Sequence, residues 1–157
     1  MAHDTDSADS KTALSGKTAL SGKTVLITGA AHRIGATIAR TLHAQGANIV
    51  LHYRASKEAS EALQEEFLQQ RADSVILTQA DLLDISAIPK LIETAAGKWG
   101  GLDVLINNAS SFYTTDIGST TETQWDDLIG SNMKAPFFLS QSAAAHLKKQ
   151  NGCSINI

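Results

Sequence analysis

From Lys23 onward, short β-branched runs alternate with longer stretches in which apolar residues recur every three or four positions. Val25-Leu26-Ile27, Asn48-Ile49-Val50-Leu51-His52-Tyr53, Val75-Ile76-Leu77, Val104-Leu105-Ile106 and Ser154-Ile155-Asn156-Ile157 predict strands. Each is apolar on both faces or nearly so, the pattern of a strand covered by helices on both sides. Four helices are predicted between them. The first covers about residues 34–45, with Ile34, Ile38 and Leu42 at fourfold spacing and Gly46 as a stop. The second covers about residues 56–70, with Ser56 as N-cap and Ala59, Leu63 and Phe67 along one face. A third follows Asp84, and a fourth occupies much of residues 121–149, where Pro136 predicts a kink or a break. This alternation predicts βαβ units around a parallel sheet, an α/β fold.

The segment before Lys23 has a different texture. Its first ten residues are small, polar and acidic, and the hexapeptide Lys-Thr-Ala-Leu-Ser-Gly then occurs twice, at residues 11–16 and 17–22. Residues 1–22 are therefore expected to form a disordered tail and residues 23–157 the domain. Gly16 and Gly22-Lys23-Thr24 suggest a phosphate-binding Walker loop, but five residues separate the glycines where that loop has four, and no strand precedes them. A chain of 157 residues that is 43% hydrophobic and 18% charged suits one globular unit. A net charge of -3 with scattered basic residues argues against nucleic acid and anionic membranes as partners. No apolar run approaches a membrane span and the start lacks a signal-peptide pattern, so a cytoplasmic address is expected. Cys153 is the single cysteine, which removes an internal disulfide and a Cys-rich metal site.

Two segments carry candidate chemistry. Thr28-Gly29-Ala30-Ala31-His32-Arg33-Ile34-Gly35 falls where the first strand turns into the first helix. There a dinucleotide's pyrophosphate meets unpaired N–H groups and the positive end of the helix dipole. Gly29 suits the tight turn, and Gly35 suits close helix packing or close approach of a cofactor. This is the arrangement of a Rossmann-like doubly wound sheet. The end of the second strand decides between dinucleotides, because an acid there binds the NAD ribose and a base accepts the NADP phosphate. His52-Tyr53-Arg54-Ala55-Ser56 has no carboxylate until Glu58, so Arg54 and Ser56 predict NADPH.

The Thr-Gly-x-x-x-Arg-x-Gly spacing resembles the short-chain dehydrogenases/reductases, and Arg33, in place of the usual middle glycine, resembles their pteridine reductase branch. In that branch the resemblance implies that Arg33 reaches the cofactor phosphates and the edge of the substrate pocket. It places Thr28, Gly29, Ile34 and Gly35 at the cofactor, with His52 and Tyr53 near its adenosine. Asp81-Leu82 resembles the pair whose acid contacts the adenine amino group. Asn107-Asn108-Ala109 resembles the motif that shapes the cofactor wall. The run then continues Ser110-Ser111-Phe112-Tyr113, which is similar to the same branch. There Phe112 would stack a flat pterin and Ser110 would hydrogen-bond cofactor or substrate, in keeping with the stacking preference of aromatic faces. Asn132 resembles the helix asparagine of the catalytic Asn-Ser-Tyr-Lys tetrad.

The activity this resemblance implies is NADPH-dependent reduction of a pterin or dihydropterin. Two other readings stay open: a short-chain reductase of a carbonyl substrate such as a 3-oxoacyl thioester, and a non-catalytic dinucleotide-binding fragment. The family's catalytic Tyr-x-x-x-Lys is expected beyond Ile157, with the sheet truncated after about the fifth strand. On that expectation this chain is inactive alone and prone to associate, whereas a full-length form would be a homotetramer.

Overall fold

The computed structural model describes residues 18–157, so the first hexapeptide and Lys17, the first residue of the second, lie outside the described residues. Residues 18–22, expected within the tail, form turns here. Gly22 N–H donates to Gly46 O at 3.1 Å, and Leu20 packs on the hydrophobic core.

Five parallel strands run β1 (Thr24–Ile27), β2 (Asn48–Tyr53), β3 (Val75–Gln79), β4 (Val104–Asn107) and β5 (Cys153–Asn156), in the spatial order β3-β2-β1-β4-β5. Helices α1 (Arg33–Ala44), α2 (Lys57–Gln70), α3 (Ile88–Gly97), α4 (Glu122–Ile129) and α5 (Ala135–Gln150) connect them. The twofold side-chain period of the strands splits the core into two layers. Val25, Ile27, Ile49, Leu51 and Ile106 face one side with Ala36, Ala39, Leu63 and Phe67 of α1 and α2. Leu26, Val50 and Leu105 face the other with Leu91 and Ile92 of α3 and Leu139, Ala143 and Leu147 of α5. This is the expected doubly wound sheet with helices on both faces.

Four local expectations need correction. The buried face of α1 is Gly35, Ala36, Ala39 and His43, while Ile34 is exposed and Ile38 and Leu42 are only half-buried. The helix lies so close to the sheet that small residues must face it, and the bulky apolar ones are displaced to its flanks. Ser56 stands at the N-cap of α2 without a side-chain cap; its carbonyl instead accepts from the Ser60 N–H and hydroxyl, at 3.1 and 2.8 Å. The fourth helical stretch is two helices joined by a π-helical turn, Gly130–Lys134, and Pro136 lies in the first turn of α5. Its missing N–H is tolerated there, so the discontinuity precedes the proline. Finally, β5 is exposed along its whole length rather than covered on both faces. The third helix follows Asp84 as expected, after one 3-10 turn that the Asp84 carboxylate caps through Ser86 N–H.

At the opposite end of the sheet from the loops that follow the strands, Asp103 pins three strand starts. It is buried, its carboxylate accepts from Lys23 Nζ at 2.8 Å and Thr24 N–H at 2.9 Å, and its backbone pairs with Thr24 O and Cys153 N–H at 3.0 Å each. Asp103→Ala strands a buried donor and should lower the unfolding free energy by about 1 to 3 kcal/mol. Urea unfolding of the two proteins measures it, and an unchanged midpoint would show that the staple contributes nothing.

Candidate functional site

The strand order reverses between β1 and β4, and the chain leaves both strands there at their C-terminal ends, the place where open α/β sheets take ligands. Thr28 closes this point. Its hydroxyl donates to Ile106 O at 3.3 Å and accepts from the N–H groups of Asn108 and Ala109 at 3.0 Å each. The Asn108 amide then donates to Thr28 O at 2.9 Å and Gly29 O at 3.1 Å. Gly29 adopts φ of +62°, a conformation that glycine takes without steric cost, and a Cβ there would meet Ala109 at 3.0 Å.

His52 is buried directly behind the Gly29 turn. Its Nδ1 accepts from Gly29 N–H at 3.3 Å, and its Nε2 donates to Ala80 O at 3.1 Å. Desolvation pushes its pKa down from 6.5 to about 4, against weaker opposing contributions from Ala80 and Asp81. An unfolded chain therefore binds a proton that the folded chain refuses, and stability falls as pH drops from about 6.5 toward about 4.

In front of these residues lies a cleft of about 810 Å³. One wall is the first turn of α1, Arg33-Ile34-Gly35, whose N–H groups have no intrahelical acceptors and receive no side-chain cap from His32. Arg33 itself sits at φ of +48°. The opposite wall is the end of β2, with Tyr53, Arg54 and Ser56, and Asp81 with Leu82 closes the far side. Free helix N–H groups, two guanidinium side chains and a serine hydroxyl suit a phosphorylated ligand. Asp81 is exposed, with one carboxylate oxygen engaged by Leu83 N–H at 3.0 Å, leaving acceptor capacity toward the cleft.

A second cavity of about 640 Å³ adjoins the first, and the two share Ala109, Ser110 and Ser111. Phe112, Met133, Pro136 and Phe137 form its apolar side, and Asn107, Asn132, Ser140 and Asn156 its polar side. Phe112 is 91% exposed. The π-helical turn presents Asn132, whose side chain pairs with the backbone of Ser111: Oδ1 accepts from its N–H at 3.2 Å and Nδ2 donates to its carbonyl at 2.9 Å. Asn107 is buried and donates to Asn156 Oδ1 at 2.8 Å, while its own Oδ1 has no partner among the described residues.

Residues 23–157 match the short chain dehydrogenase family. The chain belongs to that family. It is 35% identical to the 3-oxoacyl-[acyl-carrier-protein] reductase FabG of Staphylococcus aureus, over 84% of this chain and 54% of that protein. It is also 35% identical to Pteridine reductase 1 of Leishmania tarentolae, over 84% of this chain and 58% of that protein. It thus spans little more than half the length of these curated relatives. Among solved structures it resembles a short chain dehydrogenase from Burkholderia cenocepacia in complex with NADP, with a TM-score of 0.78 and 35% identity over 82% of this chain and 52% of that one. It likewise resembles a blue fluorescent protein from a metagenomic library in complex with NADPH, with a TM-score of 0.81 and 33% identity over 87% of this chain and 55% of that one.

In this member of the family the residues expected at the cofactor converge on the first cleft, and Ser110 stands where it meets the second. Thr28 is the exception. It lies beneath the wall rather than in it, because all its hydroxyl bonds are made to β4 and the loop that follows. Arg33, expected at the substrate as well, lines only the first cleft, whereas Ser110, Phe112 and Asn132 line the second. Ala31, His32, Ala55, Leu83, Ser111 and Ser131 line the cleft without having been singled out from the sequence. Only His32, a second basic group in the glycine loop, carried a readable signal.

Although the catalytic Tyr-x-x-x-Lys is expected beyond Ile157, the bare spacing also occurs within the chain, at Tyr53 and Lys57. The two residues are split between the end of β2 and the start of α2 rather than carried on one helix. Lys57 faces Glu61 at 3.6 Å and does not line the cleft.

Gly35 has no room for a side chain. A Cβ there would fall 2.5 Å from Gly29 O and 2.6 Å from Asn108 Nδ2, whereas one on Gly97 would meet nothing within 4 Å. Gly35→Ala should therefore lose about 1 to 3 kcal/mol of stability by forcing the loop apart, and Gly97→Ala, in a helix, should gain up to about 1 kcal/mol. Equal midpoints for the two variants in urea would overturn the close-packing account.

Proposed function

We propose that this chain is the cofactor-binding part of an NADPH-dependent reductase of pterins or dihydropterins. The observation that carries the reading is the joining of two unlike cavities at Ser110. One has Arg33, Arg54 and free helix N–H groups in its wall; the other has no ionisable side chain and an uncovered aromatic ring at Phe112. The resemblance to NADP- and NADPH-bound structures and to Pteridine reductase 1 supports it.

On this reading the first turn of α1 and Arg33 hold the pyrophosphate, with charge-assisted hydrogen bonds adding to the dipole. Arg54 and Ser56 take the 2′-phosphate, and Asp81 accepts from the adenine amino group. When bound, NADPH supplies the hydride. Phe112 gives a flat heterocycle a stacking face beside the nicotinamide end, Ser110 orients its polar edge, and Asn132 fixes the loop that carries both. Proton delivery is assigned to a Tyr-x-x-x-Lys pair on a helix, which residues 1–157 do not contain.

The equal identity to FabG favours a second reading, reduction of a 3-oxoacyl thioester carbonyl in the same cavities. Arg33 and Phe112 weigh against it, because neither a cation in the glycine loop nor a stacking face is needed by an aliphatic chain. A fragment that only binds the dinucleotide is the third. We further read the full-length form as a cytoplasmic homotetramer, a reading supported by Trp125 and Phe137, apolar and exposed on α4 and α5. No described helix is long and apolar enough to cross a membrane.

Titration of the chain with NADPH and NADH should show preference for NADPH, and Arg54→Asp should abolish or reverse it. An unchanged ratio of dissociation constants removes Arg54 from the account. Phe112→Ala should weaken dihydrobiopterin binding to the NADP-loaded protein by about 1 to 3 kcal/mol, the scale of a lost stack, with NADPH affinity little changed. Equal losses for both ligands would instead assign Phe112 to folding.

A further inference from the structure

His52 meets two backbone groups of opposite character. Gly29 presents an N–H, so Nδ1 must carry a lone pair; Ala80 presents a carbonyl oxygen, so Nε2 must carry the proton. One protonation state alone satisfies both contacts, the neutral Nε2–H tautomer. The imidazolium would set an N–H against the Gly29 N–H, and the other neutral tautomer would fail at both ends.

The two groups so joined border the cleft from different strands. Gly29 is the turn after β1, and Ala80 immediately precedes Asp81, where the chain leaves β3. A main-chain bond, Ala30 N–H to His52 O at 3.0 Å, already ties the first loop to β2, as does Ala80 N–H to Tyr53 O at 3.3 Å on the other side. Those bonds hold the strands in register whatever the side chain does. The imidazole adds a rigid spacer between the loops themselves, fixing how far the Gly29 turn stands from Asp81. Asp81 is the charged neighbour acting on the ring, and Arg33 and Arg54 belong to the cleft in front of it.

We propose that His52 is a positioning residue for the cofactor: as its neutral Nε2–H tautomer it clamps the Gly29 turn to the end of β3, and this sets the spacing between the pyrophosphate and adenine seats. It acts through Gly29 and Ala80 rather than by touching the ligand's charge. The proposal rests on the reading of the cleft as an NADPH site. Because burial holds the ring neutral down to about pH 4, the clamp is intact throughout the neutral range and opens only in acid.

The test uses acid-stable NADP+ as the probe and has a spectroscopic arm independent of binding. In 15N-histidine-labelled chain at pH 7, His52 should show the Nε2–H tautomer, with no imidazolium until the pH nears 5. An Nδ1–H tautomer or an imidazolium at pH 7 would overturn the proposal even if no variant folded. His52→Phe, which fills the volume with neither bond, should raise the dissociation constant for NADP+ about tenfold at pH 7. His52→Asn, which restores an acceptor near Gly29, should recover part of that loss. Unchanged affinity in His52→Phe, or equal losses in both variants, would refute the positioning role. Failure of the unmutated chain to bind NADP+ would instead overturn the reading of the cleft, leaving the tautomer measurement to report on the clamp.

Discussion

The Thr28 hydroxyl is the point on which the geometry of both cavities depends. It is a single oxygen serving three backbone partners, one on β4 and two on the loop that follows. The parallel pairing of β1 with β4 stops at Ile27 and Ile106. Beyond that register the two chains diverge to form opposite sides of the cleft, with no ladder to hold them. Thr28 and the Asn108 amide take over where the ladder ends, so that divergence begins at a fixed place and a fixed distance. Because each buried bond would cost free energy if left unmade, the arrangement resists the alternatives in which the crevice closes by collapse.

With that opening fixed, the first helix has little freedom. Its first turn passes so close to the loop that a Cβ on Gly35 would clash with Gly29 O, and its first residue takes a left-handed φ. Arg33 takes this conformation although it is not glycine, at a cost on the order of 1 kcal/mol. In the commoner pattern that this sequence resembles, a glycine stands there and the conformation is free. The strain at Arg33 is thus the structural trace of a glycine seat occupied by a cation. A guanidinium gained in the cleft wall, where the proposed cofactor's phosphates would lie, is a physical return for it.

The sequence made the sheet readable because β-branched runs and their twofold period are local properties, and the five strands fall at or within a residue or two of where the pattern puts them. The glycine loop and the basic end of β2 were readable for a related reason: their chemistry is carried by residue type at short spacing. What sequence pattern missed is set by distant contacts. Counting apolar spacing in α1 selects Ile34, Ile38 and Leu42, yet the sheet is so near that Gly35, Ala36 and Ala39 face it. Pro136 marks a discontinuity without revealing that it takes the form of a π-helical turn, because that turn answers to the Ser111 backbone, 21 residues away from Asn132. Thr28 and His52 read as ligand contacts because they border ligand contacts in sequence. Packing places the Thr28 hydroxyl beneath the cleft wall, while His52 lines the cleft and also braces the Gly29 turn from behind, a distinction that only packing can make.

The boundary between the two cavities follows from the same logic. Ser110 and Ser111 belong to neither helix nor strand, and a loop of small polar residues has no core of its own to fix it. Two anchors compensate from opposite ends: the Thr28 knot holds Asn108 and Ala109, and Asn132 grips Ser111 in the manner of a one-residue strand pair. The π-helical turn is what lets Asn132 do this, since an extra residue in the helix turns one side chain out of the regular face. Between the anchors only Ser110 is free to present its hydroxyl, and just beyond them Phe112 projects uncovered. A segment that would otherwise wander is therefore rigid at the seam where two ligands would have to meet. Its freedom begins at the residue whose flat face would adapt to what is bound.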